Sequence, residues 1–269
     1  MPLSDPPTMK TLTAGGGEVT ALENDTHALQ IEAIPRGYAV AQLDDYHHLA
    51  RRDLKWRPPL HLRLQARTSI REPSGTLGFG FWNDPFSLSM GLAGTARRVP
   101  ASPQTLWFFY GSPPNDMALA PPVPGHGWKA AVLRAASIPA WVLAPAALAA
   151  FCAARIPLIR RLVMKAAIGT VRADEALIDV SLSDFHQYEL VWQRDAVQFL
   201  VDGRLILESS VTPRAPLGFV AWIDNQYAVA SPEGGFRFGV IPTDQPQTLL
   251  ISDLRIDGEL LTLAPAGDA

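Results

Sequence analysis

The sequence predicts an all-β sandwich, or jelly roll, of two antiparallel sheets interrupted by one helical insertion. Outside residues 117–173 the chain consists of short runs rich in Val, Ile, Leu, Phe, Tyr and Trp, bounded by Gly, Pro, Asn and Asp. This pattern is typical of strands joined by turns. Inside that range no acidic residue occurs, although seven cationic residues do. A chain of 269 residues is long enough for such a domain to have a self-sufficient core.

The clearest strand signal lies at residues 188–207. Residues 188–192 and 197–201 each alternate apolar side chains with polar or smaller ones, which places one face of each strand in a core. The pair Asp202-Gly203 then favours a tight two-residue turn, so the sequence predicts a hairpin here. We also predict strands over residues 27–33, 38–43, 60–68, 76–82, 105–110, 176–182, 216–223 and 249–256.

Charge and cysteine content exclude several classes of protein. There are 23 basic and 26 acidic residues, a net charge of −3, so no nucleic-acid binding by bulk charge is expected. The single cysteine, Cys152, excludes an intramolecular disulfide framework. Residues 1–10 are polar and contain proline, whereas a secretory signal needs an apolar run. We therefore expect no signal peptide and a cytoplasmic, peripheral or monotopic membrane-associated chain.

Two strands share an outward pattern of tryptophan followed by aspartate. In residues 76–84, burying the odd-numbered apolar positions leaves Gly80, Trp82 and Asp84 on the opposite face, because side chains alternate along a strand. The same count over residues 216–224 leaves Trp222 and Asp224 on that face. The glycines predict open space beside each indole, where a sugar ring can stack while its hydroxyls bond polar groups. The predicted ligand-binding residues are Trp82, Asn83, Asp84, Trp107, Tyr110, Trp222, Asp224 and Asn225.

A structural interpretation of the same residues stays open. Both strand-end tryptophans can pack beneath a loop, residues 83–85 carry a turn signal, and strand aromatics such as Tyr110 are commonly core. His47 and His48 follow Asp44 and Asp45, yet no third ligand stands at a recognisable metal-site spacing. Together with Asp253, these aspartates lack the dense oxygen-ligand loop of a calcium site. We therefore predict no metal and no cofactor.

Three segments carry a resemblance to a known family. Residues 185–192 and 199–203 read FHQYELVW and FLVDG, residues 80–82 read GFW, and residues 216–224 read PLGFVAWID. They resemble a strand pair ending in Asp-Gly, an aromatic strand and a late concave-sheet strand of the concanavalin A-like lectin and glucanase superfamily. Within that superfamily, residues 27–263 resemble glycoside hydrolase family 16. The resemblance implies a jelly roll with a ligand-binding concave sheet.

The family's catalytic strand is not matched. In the family it carries Glu-x-Asp-x-Glu or Glu-x-Asp-x-x-Glu, because retaining hydrolysis requires two carboxyl groups roughly 5–5.5 Å apart. Here residues 105–110 read TLWFFY, and the motif occurs nowhere else. We therefore do not predict that mechanism. In the alternative hypothesis the protein is a divergent glycoside hydrolase-like enzyme, with Asp84 and Asp224 as the acid and base and the insertion as a lid.

The insertion is predicted to form three helices, over residues 128–136, 140–154 and 158–168. Pro139 and Pro157 suit the first turns of the second and third, and the third has a cationic face opposite an apolar one. A single membrane crossing is excluded because strands on both sides must pair in one sandwich. A monotopic anchor or a soluble cap remains. The predicted membrane-contact residues are Trp128, Trp141, Leu148, Phe151, Arg155, Arg160, Arg161 and Lys165.

The sequence therefore predicts a non-catalytic, membrane-associated protein that binds a glycan, glycolipid or other partly apolar ligand at an anionic membrane surface. A divergent hydrolase and a structural or interaction module are the alternatives. The expected organisation is an N-terminal arm and first strand (1–26), the first half of the jelly roll (27–116), the insertion (117–173) and the second half (174–269).

Overall fold

The computed structural model describes residues 8–85, 101–118, 120–138, 169–231 and 235–260. Within them one short 3₁₀ helix (Arg51–Asp53) accompanies the strands. The strands are, in chain order, β1 (Lys10–Ala14), β2 (Gly17–Leu22), β3 (Thr26–Ile31), β4 (Val40–Asp44), β5 (Trp56–Thr68), β6 (Thr76–Trp82), β7 (Gln104–Gly111), β8 (Gly127–Ala135), β9 (Val171–Leu177), β10 (His186–Trp192), β11 (Val197–Val201), β12 (Arg204–Ser209), β13 (Gly218–Asp224), β14 (Gln226–Ser231), β15 (Gly235–Val240) and β16 (Gln247–Leu260).

Two seven-stranded antiparallel sheets form the sandwich. Sheet I has the order β1-β4-β13-β6-β7-β8-β9, and sheet II has the order β12-β11-β10-β5-β16-β3-β2. A separate two-stranded sheet joins β14 to β15. The chain changes sheet repeatedly, so neighbouring strands are often far apart in sequence, as in a jelly roll. The predicted all-β sandwich is confirmed.

The Asp-Gly hairpin is confirmed in detail. β11 pairs with both β10 and β12, and Tyr188 lies opposite Val201. Asp202 and Gly203 connect β11 to β12 with φ values of 50° and 75°, the positive values that this type of turn requires. These strands form one edge region of sheet II.

The predicted facing of β6 and β13 is also confirmed. Leu77, Phe79 and Phe81 are buried between the two sheets, as are Leu217 and Phe219. They pack there against side chains of sheet II, including Tyr188, Leu190, Trp192 and Phe199. Since side chains alternate along a strand, the intervening residues of β6 and β13 lie on the outer face of sheet I.

The predicted helix over residues 128–136 is wrong, because this segment is the strand β8. Trp128, Ala130 and Val132 face the core, while Lys129 and Leu133 on the outer face are buried as well. With both faces buried, the strand lacks the alternation that reveals a strand in sequence, and its alanines favour a helical interpretation. The predicted helices over residues 140–154 and 158–168 lie outside the described residues.

Strand β9 also differs from its prediction, since it ends at Leu177 and residues 178–182 form a loop. The sequence patterns do not predict β14 and β15. In the described part of the chain, no helix has the length and hydropathy needed to span a bilayer.

Candidate functional site

Four aromatic side chains form a continuous group on the outer face of sheet I, which we call the aromatic patch: Trp82, Trp107, Phe109 and Trp222. The ring centroids of Trp107 and Trp222 are 5.3 Å apart, those of Trp82 and Trp107 are 5.9 Å apart, and Trp107 stacks on Phe109 at 5.6 Å. The three indoles are half-buried and Phe109 is buried. The patch therefore presents indole surface from three neighbouring strands.

Strand register explains why these rings meet. Gly80 lies opposite Trp107, and Gly78 lies opposite both Trp222 and Phe109. The glycines leave no side chain between the rings of β13 and β7, so the rings can cross β6 and touch. The patch thus depends on glycine at two positions of the central strand.

The predicted open space beside each indole is wrong. A Cβ on Gly78 would lie 2.9 Å from the Cη2 atom of Trp222, and one on Gly218 would lie 2.5 Å from the Cδ1 atom of Tyr46. Each glycine is therefore already covered by an aromatic ring. A ligand would have to lie on top of the patch, since the structure leaves no slot between its rings.

A hydrogen-bond chain fixes the orientation of Trp222. Its indole Nε1–H donates to Thr76 Oγ1 at 3.0 Å, and the Thr76 hydroxyl donates to Asp224 Oδ1 at 2.7 Å. The backbone N–H of Gln226 also donates to this carboxylate oxygen, at 3.0 Å. Burial raises the pKa of Asp224 to about 6, because a buried carboxylate loses its hydration. Asp224 thus positions Trp222 and is not an exposed ligand-binding group.

Trp82 has a comparable support. Its Nε1–H donates to the hydroxyl of Tyr46, and the two rings meet edge to face with centroids 6.3 Å apart. Tyr46 and Val220 are buried beside the half-buried rings of Trp82 and Trp222. Tryptophan in such a place exposes ring area while its polar N–H stays satisfied.

Two further predicted ligand residues, Asn83 and Asn225, hold loops in place. Asn83 donates to the carbonyl of Ser102 at 2.9 Å and accepts from the N–H of Gln104 at 3.0 Å. The buried Asn225 accepts from the N–H of Ala39 at 2.8 Å. It also donates to the carbonyls of Gly37 and Ile241, each at 2.9 Å. Both amide side chains therefore form their hydrogen bonds with backbone groups of the protein.

Asp84 is buried at the end of β6, with a positive φ of 43°. The Arg51 guanidinium donates to the carbonyl oxygens of Asn83 and Asp84, at 2.8 and 2.7 Å. The turn interpretation of residues 83–85 is thus the one that the geometry supports. Tyr110 lies on the opposite face of sheet I, in the core between the sheets, so it does not belong to the patch.

The register also separates the two candidate catalytic aspartates. Thr76 pairs with Asp224, whereas Trp82 at the other end of β6 pairs with Gly218, and Asp84 follows two residues later. Six residues at roughly 3.3 Å each place the ends of this strand pair about 20 Å apart. A glycosidase needs its two carboxyl groups roughly 5–9.5 Å apart. Asp84 and Asp224 therefore cannot act as one acid and base pair.

Strand β7 occupies the place that the resemblance gives to the catalytic strand. Leu106, Phe108 and Tyr110 belong to the core, so Thr105, Trp107 and Phe109 point to the outer face. The side chains facing outward at this strand are therefore a hydroxyl and two aromatic rings. None of them can supply the carboxylates of retaining hydrolysis.

A further acidic side chain on the outer face of sheet I is held in an ion pair. Glu175 on β9 forms an ion pair with Lys129 on β8 at 2.9 Å, and each side chain is 1% exposed. The Lys129 ammonium also donates to the carbonyls of Met117 and Pro124, at 3.2 and 3.1 Å. This pair ties the loop after β7 onto the sheet. Sequence patterns give no sign of it, because its members lie far apart in the chain.

The histidine and aspartate cluster beside β4 is structural as well. Asp44 accepts from the N–H groups of Tyr46 and His47 at 2.8 and 2.7 Å, and the His47 ring nitrogen Nδ1 lies 3.0 Å from its Oδ2. Asp45 accepts from the Trp56 indole at 2.6 Å. No group of three metal-ligating side chains occurs in the described residues.

Of the predicted membrane-contact residues, Trp128 is misassigned. Its side chain is 6% exposed and packs between the sheets against Phe79, Phe108 and Tyr188. It cannot contact a lipid headgroup from there. The remaining residues of the group lie outside the described part of the chain: Trp141, Leu148, Phe151, Arg155, Arg160, Arg161 and Lys165.

The fold is a β-sandwich of two seven-stranded antiparallel sheets, and within the described residues Asp84 and Asp224 do not form a catalytic pair of carboxylates. The model of the family described as glycosyl hydrolases family 16 matches residues 167–218, which run from just before β9 to the start of β13. The match confirms the resemblance over that part of the chain. No curated protein matches the chain.

Three solved structures are similar in fold. A glycoside hydrolase family protein from Mycobacterium thermorestibile is 13% identical, with a TM-score of 0.48, covering 94% of each chain. A laminarinase from Flavobacterium sp. UMI-01 is 12% identical, with a TM-score of 0.45, covering 90% of this chain and 80% of that one. A sialidase is 11% identical, with a TM-score of 0.40; 93% of this chain corresponds to 17% of the sialidase.

Proposed function

We propose that the protein binds a glycan through the aromatic patch on sheet I and does not hydrolyse it. The observation that carries this proposal is the half-buried cluster of three indoles, held by Thr76 and Tyr46, on the sheet face where the resembling hydrolases act. Indole faces stack on the apolar C–H face of a sugar ring. The family-model match over residues 167–218 supports a carbohydrate ligand.

The absence of an acid and base pair supports the non-catalytic part of the proposal. In the described residues, Asp84 and Asp224 lie at opposite ends of a strand pair, and Glu175 is neutralised by Lys129. The outward positions of β7 carry rings where hydrolysis would need carboxylates. Binding without turnover is what these side chains can perform.

The patch is tested by titrating the purified protein with laminarin oligosaccharides in a calorimeter. Trp222→Ala removes one plate of the patch, and we expect its Kd to rise at least tenfold, as for a central aromatic contact. Phe185→Ala is the matched control, since Phe185 is 48% exposed and lies on a different surface. Binding that is unchanged by Trp222→Ala, or absent from the wild type across β-linked and α-linked oligosaccharides, would disprove the proposal.

Membrane association and a glycolipid ligand stay predictions of the sequence. They rest on the acid-free composition of residues 117–173, with Trp128 and Lys129 now assigned to the interior of the protein. Sedimentation with anionic liposomes tests them, using the variant Arg160→Glu/Arg161→Glu/Lys165→Glu. Reversal of three charges should abolish sedimentation if this segment contacts anionic headgroups, since each cation near the surface contributes about 1 kcal/mol. Equal sedimentation of both proteins would contradict the prediction.

A further inference from the structure

A cleft at one end of the sandwich, which we call the end cleft, lies apart from the aromatic patch. Its volume is about 280 Å³, and its lining includes Arg71, Glu72, Tyr110, Trp128, Asp179 and Ser181. These residues come from β7, β8 and the two loops at residues 69–75 and 178–182. The end cleft opens between the two sheets, whereas the patch lies on the outer face of sheet I.

The floor of the end cleft is aromatic. Tyr110 and Trp128 are register partners at the ends of β7 and β8, and both side chains point to the core side of sheet I. Burial, together with the charge of Glu72, raises the pKa of Tyr110 to about 12. The Tyr110 hydroxyl therefore remains protonated and can donate a hydrogen bond at neutral pH.

The rim of the end cleft is polar. Arg71, Glu72 and Asp179 are exposed, and Ser181 is half-buried. They supply hydrogen-bond donors and acceptors of both charges within one opening. A purely apolar ligand would desolvate these groups without replacing their hydrogen bonds. An anion would face two carboxylates and a single guanidinium.

Hydrogen bonds to the strands fix the loop at residues 178–182. The N–H of Ile178 donates to the carbonyl of Trp128 at 2.9 Å. At the other end, the Leu182 carbonyl accepts from the N–H of Thr68 at 2.7 Å and from its hydroxyl at 3.1 Å. This wall of the end cleft is thus held by both sheets.

The opposite wall, at residues 69–75, is fixed in the same way. The N–H of Ser69 donates to the carbonyl of Thr248 at 2.9 Å, and the N–H of Ser74 donates to Gln247 Oε1 at 2.5 Å. Because both walls are already ordered, a ligand entering the end cleft loses little free energy in arranging its site.

We propose that the end cleft binds a single sugar ring, as a second ligand site that is independent of the aromatic patch. Tyr110 and Trp128, which are 8% and 6% exposed, close the bottom of the end cleft with the edges of their rings, and the rim bonds the sugar hydroxyls, which both donate and accept. The volume of about 280 Å³ lies just below the usual range for ligand pockets, roughly 300–1,000 Å³, so the end cleft suits one ring and a longer chain would extend into solvent.

The probe for this site is methyl β-D-glucopyranoside, titrated into the ¹⁵N-labelled full-length protein. We expect the indole N–H resonance of Trp128 to shift and saturate with a Kd in the millimolar range. Asp179→Ala and Tyr110→Phe each remove one hydrogen-bonding group, so each should weaken binding about tenfold. The exposed Phe185 offers the control Phe185→Ala, which should leave the Kd unchanged.

The same titration separates this proposal from the proposed function. Trp222→Ala should leave the Trp128 response intact, because Trp222 lies on the other face of sheet I. If Trp222→Ala removes the response, the sugar binds at the patch and the end-cleft proposal is overturned. It is also overturned if Trp128 shows no saturable shift, or if Asp179→Ala and Tyr110→Phe both bind as the wild type does. Each of these results can occur while the aromatic patch still binds a glycan, so the two proposals are tested separately.

Discussion

Trp107 lies directly opposite Gly80 in the central strand pair of sheet I, and a Cβ on Gly80 would be 2.7 Å from the Cβ of Trp107. The same added atom would be 2.4 Å from the carbonyl oxygen of Leu106, and Gly80 has a φ of +151°. Backbone atoms cannot move away as a flexible side chain can. The ring at the centre of the aromatic patch therefore depends on a neighbour that has no side chain.

Gly80→Ala should consequently lower the free energy of unfolding by roughly 1–3 kcal/mol, the usual cost of overpacking a site that cannot relax. Displacement of Trp107 should also weaken glycan binding. Urea unfolding followed by tryptophan fluorescence measures the first effect and calorimetry the second. Gly169→Ala is the control, because a Cβ there meets nothing within 4 Å. Equal stability of the Gly80 and Gly169 variants would contradict this account.

The facing of Trp82 and Trp222 could be predicted from sequence, while their surroundings could not. Alternation along a strand fixes which way a side chain points. It does not reveal that the Tyr46 ring covers Gly218 or that the Asn225 side chain bonds the backbone of Ala39, 186 positions away. Pairings of that separation arise only from the order of strands in the sheets. The direction of each ring was therefore predictable, and the roles of the flanking polar residues were not.

Lys129 shows that the composition of a segment does not predict where each of its side chains lies. In sequence it belongs to an acid-free, cationic segment, which favours a surface role. In the structure it is 1% exposed and pairs with Glu175, 46 positions later. Composition averages over a segment, whereas a single lysine is placed by the strand that carries it. The same average over the segment led to Trp128 being predicted as a membrane residue, whereas the helical interpretation of β8 failed because both faces of this strand are buried.

The Lys129 and Glu175 pair gives a sharp stability prediction. Lys129→Met leaves the Glu175 carboxylate buried without its cation, which typically costs 3–5 kcal/mol. The free energy of unfolding in urea should fall by about that amount. Amide hydrogen exchange should also accelerate at Met117 and near Pro124, whose carbonyls lose the ammonium group.

The double variant Lys129→Met/Glu175→Gln separates the charge from the packing. Removing both charges should recover much of the lost stability, because no uncompensated ion then remains in the interior. Additive losses in the two single variants and the double variant would instead mean that the pair contributes no coupling free energy.

The separation of carboxylates predicts the catalytic behaviour. Wild-type protein incubated with laminarin should release no reducing sugar above the level of a buffer blank, since Asp84 and Asp224 lie at opposite ends of a strand pair, too far apart for an acid and base pair. Activity that disappears in Asp84→Asn or in Asp224→Asn would show that the register argument misplaces these groups. Added Ca²⁺ should make no difference to this result.

Asp224 predicts a specific dependence of stability on pH. Its folded-state pKa is raised to about 6 by burial, against a usual 3.8. The folded state therefore binds the Asp224 proton more tightly than the unfolded chain does. The contribution of this group to stability is fully present below about pH 4, is lost as the pH rises from 4 to 6, and is constant above that range. A difference of about two pKa units corresponds to about 3 kcal/mol.

Asp224→Asn isolates this effect, because the amide does not titrate while every other group does so in both proteins. Urea unfolding at a series of pH values gives the difference in free energy of unfolding between wild type and variant. Relative to the variant, the wild type should lose about 3 kcal/mol of its free energy of unfolding between pH 4 and pH 6.5. If the free energies of unfolding of the two proteins run parallel across this pH range, the raised pKa of Asp224 is contradicted. A shift in the opposite direction would mean that the hydrogen bonds from Thr76 and Gln226 to the carboxylate outweigh its loss of hydration.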